Sequence, residues 1–251
     1  MFIIHFIKEQ AMRKLNSIIR FSEKIIFLLL ILFCETSFSH EGHSHGSSVV
    51  TSTSFDQLGN LWRVREQKGF VIVDSSNDQG INFSKSINVN TELQKIGTSG
   101  DAKPKIAIGP EGNIYVTWTQ TLSKPYTGYI WFARSKDHGK NFELPQIVHQ
   151  DKSEITHRFD AINVNKDGRI FVAWVDKRDL EKAKLQKKEK EYKGAALYYA
   201  VSENFGESFK IERKIVDSSC ECCRIALTND SKGNTIAMWR QLYDGGIRDH
   251  A

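Results

Sequence analysis

The chain has 251 residues, 40% of them hydrophobic, with 35 Lys and Arg against 30 Asp and Glu for a formal net charge of +5. Five of those bases and three of the acids lie in residues 1–39, so the remainder carries 30 bases and 27 acids, a net +3. A balance that mild excludes nucleic acid as the expected partner.

From the N-terminus, Arg13, Lys14, Arg20 and Lys24 precede the apolar run Ile25 to Phe33, and small or polar residues follow through Ser39. This is the layout of a secretory signal, with Met12 as its start and cleavage after Ser39. The run is too short to span a bilayer stably, so no membrane span is expected once residues 1–39 are removed. The alternatives are a lipid anchor at Cys34, which the bulky Phe33 before it disfavours, and retention of the segment as a permanent membrane anchor. The predicted product is exported, either periplasmic or secreted. Residues 40–49 then form a His/Gly/Ser-rich linker in which His40, His43 and His45 could hold Cu(II), Zn(II) or Ni(II) loosely, or be inert.

Residues 50–251 are read as repeating β structure. Gly59-Asn60-Leu61-Trp62 opens a series continued by Lys105–Ile108 with Glu111–Trp118, by Ala161–Val164 with Asp167–Trp174, and by Arg224–Leu227 with Lys232–Trp239. Each unit is a strand, a glycine turn and a second strand ending in Trp. Trp118 and Trp174 are 56 residues apart, and Trp174 and Trp239 are 65 apart. Out of phase with these runs a turn pattern, S-x-D/N-x-G-x-x-F: Ser76 to Phe83, Ser135 to Phe142, and Ser202 to Phe209 with Asn204 in place of Asp. Ser and Asp/Asn bond nearby backbone N–H groups, Gly takes positive φ, and Phe plugs the turn onto the sheet. The prediction is an all-β chain, a β-propeller of four-stranded antiparallel blades.

The turn pattern resembles the Asp-box, or BNR repeat, of the sialidase superfamily, and its first two copies match at every defining position. The resemblance implies a six-bladed propeller of about 350 residues at this repeat length. About three and a half blades fit here, so the sequence reads as part of a longer product, a four-bladed closure being the alternative. In sialidases three arginines clamp a carboxylate, an Asp acts as acid/base, and a Tyr nucleophile is assisted by Glu. Arg158, Arg224 and Arg248 could supply arginines and Asp160 an acid. However, the Arg-Ile-Pro motif is absent: Arg224-Ile225-Ala226 lacks the Pro and falls in the fourth blade.

In a four-stranded meander, blade-to-blade connections and second-to-third-strand loops share one end. That end receives His157–Asp160, Cys220–Arg224, the segment from Arg240 to His250, and a Lys-rich insertion (177–193) whose residues 180–185 have helical spacing. It is the expected mouth. The Lys run itself reads as a solvated face or an anionic-ligand patch. Cys220, Cys222 and Cys223 are the sharpest chemical signal: three sulfurs within four residues suit copper or zinc, or else disulfides to a further cysteine. His157 is their expected neighbour. The expected function is a noncatalytic ligand- or metal-binding propeller whose mouth takes an anionic small molecule or glycan through Arg158, Asp160, Arg224 and Arg248. The alternative is an exo-α-sialidase-type hydrolase.

Overall fold

The computed structural model describes residues 50–98, 102–192 and 194–243. The signal, His40, His43, His45 and Arg248 lie outside the described residues. Three antiparallel meanders of four strands follow one another. The first comprises β1 (Thr51–Phe55), β2 (Leu61–Gln67), β3 (Phe70–Ser76) and β4 (Ile87–Asn88). The second comprises β5 (Lys105–Ile108), β6 (Ile114–Thr121), β7 (Gly128–Ser135) and β8 (Gln146–Ile147). The third has β9 (His157–Val164), β10 (Ile170–Asp176), β11 (Ala195–Ser202) and β12 (Arg213–Ser219), and β13 (Ala226–Asn229) pairs with β14 (Thr235–Met238) in a two-stranded sheet. The first strands of successive sheets, β1, β5, β9 and β13, touch one another in series. That is the radial stack of a propeller, with each blade's first strand innermost.

Strand alternation explains the stacking. Ile114, Val116 and Trp118 of β6 face the first sheet in a core with Val64, Val71 and Val73, whereas Tyr115 faces the third sheet with Ile170, Val172 and Trp174. Likewise Ala173 and Val175 of β10 turn the other way, onto Ile225, Leu227 and Trp239. A strand with apolar partners on both sides loses the polar alternation of a half-wet sheet, which is why Ile114–Thr119 is buried throughout.

Trp118 and Trp174 are both the fifth residue of their strand and fully buried. Trp239 follows β14 directly and is half-buried, its indole N–H donating to Gln241 as that of Trp174 donates to Asp176. Trp62 differs. It is the second residue of β2, where it donates to Asp56 Oδ2 at 2.9 Å and packs on the first core, so Arg65 stands at the blade-tryptophan position.

The three motif turns join third to fourth strands and share one bonding scheme. Ser76, Ser135 and Ser202 hydroxyls donate to Asp78, Asp137 and Asn204 at 2.6, 2.8 and 2.8 Å, and each accepts the N–H of Gly80, Gly139 or Gly206 at 2.8–2.9 Å. Oδ1 of the acid or amide then accepts the N–H four residues on. Two consecutive residues are left-handed in each turn, His138 at φ 56° and Gly139 at 76° being one pair. A Cβ on Gly139 would come within 2.6 Å of Trp62 of the preceding blade, so glycine there serves both the turn and the packing. Phe83, Phe142 and Phe209 are half-buried rather than buried: Phe142 and Phe209 pack at the margins of two cores, and Phe83 carries the Arg63 guanidinium 3.4 Å above its ring. In the insertion, the predicted helix is α1 (Arg178–Leu185), with Asp179 and Glu181 in its first turn and Lys182 and Lys184 in its last, complementing the helix dipole. Only Ala183 of this helix is buried, and Lys184, Lys187, Lys188 and Lys190 are exposed, the solvated face allowed by the sequence.

Candidate ligand-binding mouth

At one end of the stack the β6–β7 loop, the start of β9 and the loop before β13 converge. Ala173 opposes Ala161 and Val175 opposes Arg158, so Phe159 and Asp160 together face Trp174 in a β-bulge. Phe159 is left-handed at φ 56°, unusual for a bulky side chain, and buried. Such backbone strain costs roughly 1–3 kcal/mol and persists where surroundings over-determine it. Here they do. The Phe159 ring takes the Arg158 guanidinium at 4.3 Å and that of Arg224 at 3.9 Å, and Arg158 also lies 5.2 Å from the exposed Tyr126 ring.

Two residues 66 apart in sequence thus place two positive charges on one ring. Burial, and then the charge of Arg224, lower the affinity of the Arg158 guanidinium for its proton. No carboxylate among the described residues lies within ion-pair distance of Arg158. Arg224 donates to the Cys222 carbonyl at 2.5 Å, tying the arginine pair to the cysteine loop.

Asp160 points elsewhere. Its buried carboxylate accepts the hydroxyls of Thr117 at 2.6 Å and Thr119 at 3.2 Å, both on β6 of the neighbouring blade. It therefore joins two blades.

The thiols of Cys220, Cys222 and Cys223 lie within 4.8 Å of one another, Cys220 buried and Cys222 exposed. His157, the expected neighbour, is not brought to them. It is fully buried, with Nδ1 3.0 Å from the Gly128 carbonyl, Nε2 3.6 Å from Asp176 Oδ2, and its ring stacked 4.0 Å from His149. The reason is position: His157 is a β9 strand residue, held under the β6–β7 loop.

That histidine pair belongs to a buried polar network which sequence reading missed. Asp176 accepts the indole N–H of Trp174 and two N–H groups of the Arg178 guanidinium, and Arg178 also donates to Glu212 at 2.7 Å. Glu212 in turn accepts the backbone N–H groups of Gln150 and Asp151. Its bonds to Arg178 and those N–H groups outweigh burial and hold its carboxyl below the usual range. Asp-Lys-Arg-Asp after a strand is a polar cluster that could have signalled this network, but nothing local pairs it with Glu212 34 residues on. Tyr126 and Phe159 were equally illegible as an aromatic floor.

A separate cavity of about 650 Å³ lies over the third sheet, lined by Phe171, Tyr199, Val201, Ile211 and Arg213 among others. It shares no lining residue with the arginine pair. Among the described residues no helix is long and apolar enough to cross a membrane.

No family model and no curated protein matches the chain. Solved structures do. The α-L-arabinanase of Penicillium chrysogenum, complexed with arabinobiose, is similar with a TM-score of 0.52 over 76% of this chain and 57% of its own, at 12% identity. The α-L-arabinofuranosidase of Fusarium graminearum, complexed with an iminosugar inhibitor, gives 0.51 over 76% and 56%, at 11% identity. The chain spans just over half the length of both. At such identity the likeness shows the fold: this is a β-propeller chain, with three four-stranded blades and a further pair of strands described.

Proposed function

We propose that this is an exported, noncatalytic propeller of sialidase-like type that binds a carboxylate-bearing glycan at its mouth, with Arg158 and Arg224 as the anion clamp. The observation carrying this reading is the half-buried Arg158, stacked on Phe159 beside a second guanidinium, with no carboxylate among the described residues within ion-pair distance. Two like charges held together over one ring repel, and an anion bridging them relieves that repulsion. Arginine's planar fork suits a carboxylate, and the exposed Tyr126 ring offers an apolar wall beside it. The engagement of Asp160 by Thr117 and Thr119 supports binding over acid catalysis at these residues. Arg248, outside the described residues, remains a candidate third arginine.

Titration calorimetry with sialyllactose and with lactose tests the proposal. The anionic sugar is expected to bind and the neutral one not, and Arg158→Ala should weaken binding about 10- to 100-fold, the value of a charge-assisted hydrogen bond. Equal binding of both sugars, or an Arg158→Ala protein that binds as before, overturns it.

A further inference from the structure

We propose that Cys220, Cys222 and Cys223 form a preorganised three-thiolate site for Cu(I). The Cys220 and Cys222 sulfurs are 3.5 Å apart, and all three lie within 4.8 Å. A metal bound about 2.3 Å from three coplanar sulfurs separates them by about 4 Å, inside that range, whereas a disulfide requires about 2.05 Å. Adjacent Cys222 and Cys223 could pair with each other only under strain.

The loop is fixed from both flanks. Cys220 N–H donates to the Arg240 carbonyl at 3.0 Å and Cys223 N–H to the Cys220 carbonyl at 3.2 Å, closing a turn that places the sulfurs together. Ser219 bridges Gln241, and its hydroxyl donates to the Ala195 carbonyl at 2.9 Å. A Cβ on Gly194 would sit 2.1 Å from the Ser219 carbonyl oxygen, so only glycine permits this approach. Lys177 pairs with Glu221 at 2.5 Å between the first two cysteines. Binding releases the thiol protons to solvent and leaves an anionic cluster, beside which Arg224 and Arg240 supply positive charge.

Ligand type and number select the ion. Thiolates favour soft cations, and structural Zn(II) sites take four protein ligands. Among the described residues no His, Cys, Asp or Glu joins the three sulfurs as a fourth. The exposed Cys222 gives an ion entry, while the buried Cys220 closes the floor.

The test uses the full exported chain, purified anaerobically with reductant and titrated with Cu(I) against a competing Cu(I) chelator. One Cu(I) per chain is expected, with an ultraviolet thiolate-to-metal charge-transfer band and protection of all three thiols from alkylation. Cys222→Ser alone and Cys222→Ser with Cys223→Ser should keep the wild-type circular dichroism. The double variant should bind about a hundredfold more weakly or worse, since even outer-shell losses cost about 10–100-fold. A variant with His40, His43 and His45 all replaced by Ala should bind as wild type does. The proposal is overturned if copper is lost only in the histidine variant. It is equally overturned if Zn(II) binds and Cu(I) does not displace it, or if, in protein isolated without reductant and quenched with an alkylating agent, these sulfurs escape labelling and prove disulfide-bonded.

Discussion

His149 illustrates what burial does to a single titratable residue. Its Nδ1 lies 2.6 Å from the Asp151 carbonyl and its Nε2 accepts the Ile130 N–H at 3.1 Å, so Nδ1 carries the proton and Nε2 has no room for another. Burial, and then the neighbouring His157, push its pKa down to about 3. The unfolded chain takes up that proton near pH 6.5, the folded chain only near 3, so stability is complete above 6.5 and falls as the pH drops between these values. Burial lowers His157 in the same direction. Denaturant unfolding between pH 6.5 and 5, where most carboxylates stay ionised, should show stability falling by up to about 1.4 kcal/mol per pH unit for His149 alone. His149→Gln should be less stable at pH 7 and flatten that slope; an unchanged slope would remove this assignment. The sequence does not single this position out, because the Ile130 N–H and the His157 ring that define its environment belong to other strands.

Among the elements, the motif turns behave as self-contained units whose chemistry is complete within seven residues. Asp78 and Asp137 pair with the side-chain amides of Asn82 and Asn141, which donate to their second carboxylate oxygen. Asn204 instead donates its own amide to the Ser208 hydroxyl at 2.9 Å. The exchange of Asp for Asn is thus matched by an exchange of Asn for Ser, and the degenerate copy keeps the same connections. The Ser76 hydroxyl and then the Asn82 N–H groups hold the Asp78 carboxyl down at about 2, and the backbone and side-chain N–H groups of Asn141, with the Ser135 hydroxyl, hold Asp137 there too. Ser135 is fully buried, and Ser135→Ala strips the acceptor from the Gly139 N–H. An unsatisfied buried donor costs about 1–3 kcal/mol, so the urea midpoint of Ser135→Ala should fall accordingly with little change in slope. A midpoint equal to wild type would mean that the turn does not need its hydroxyl.

For the whole molecule, stability depends on how one blade holds the next. Besides the three apolar cores, polar ties cross the interface between the second and third blades: Arg134 of β7 donates to the Phe205 carbonyl at 2.9 Å, and Asp160 of β9 accepts from Thr117 and Thr119 of β6. Asp160→Ala should destabilise the chain by about 1–3 kcal/mol through the stranded hydroxyls. Thr117→Val combined with it should cost less than the sum of the two, by an interaction of about 0.5–3 kcal/mol. Strict additivity in this double-mutant cycle would sever Asp160 from β6. The same variant should bind sialyllactose as wild type does, which separates a blade-joining carboxylate from a ligand-binding one.

The repeat, its strand phase, the three turns and the helix in the insertion could all be read from the sequence, because each depends on period-2 alternation or on bonds closed within a few residues. Trp62 misled that reading: one glycine turn before a Trp looks like another, and only β2 pairing shows that the indole sits at the strand's start. Tertiary structure alone decided that Asp160 is consumed between blades, that Phe159 bulges to hold Arg158 against Arg224, and that His157 belongs to His149 and Asp176 rather than to the thiols. These are contacts between residues tens of positions apart. Their existence depends on sheet register and on the angle between stacked blades, and no local pattern encodes either.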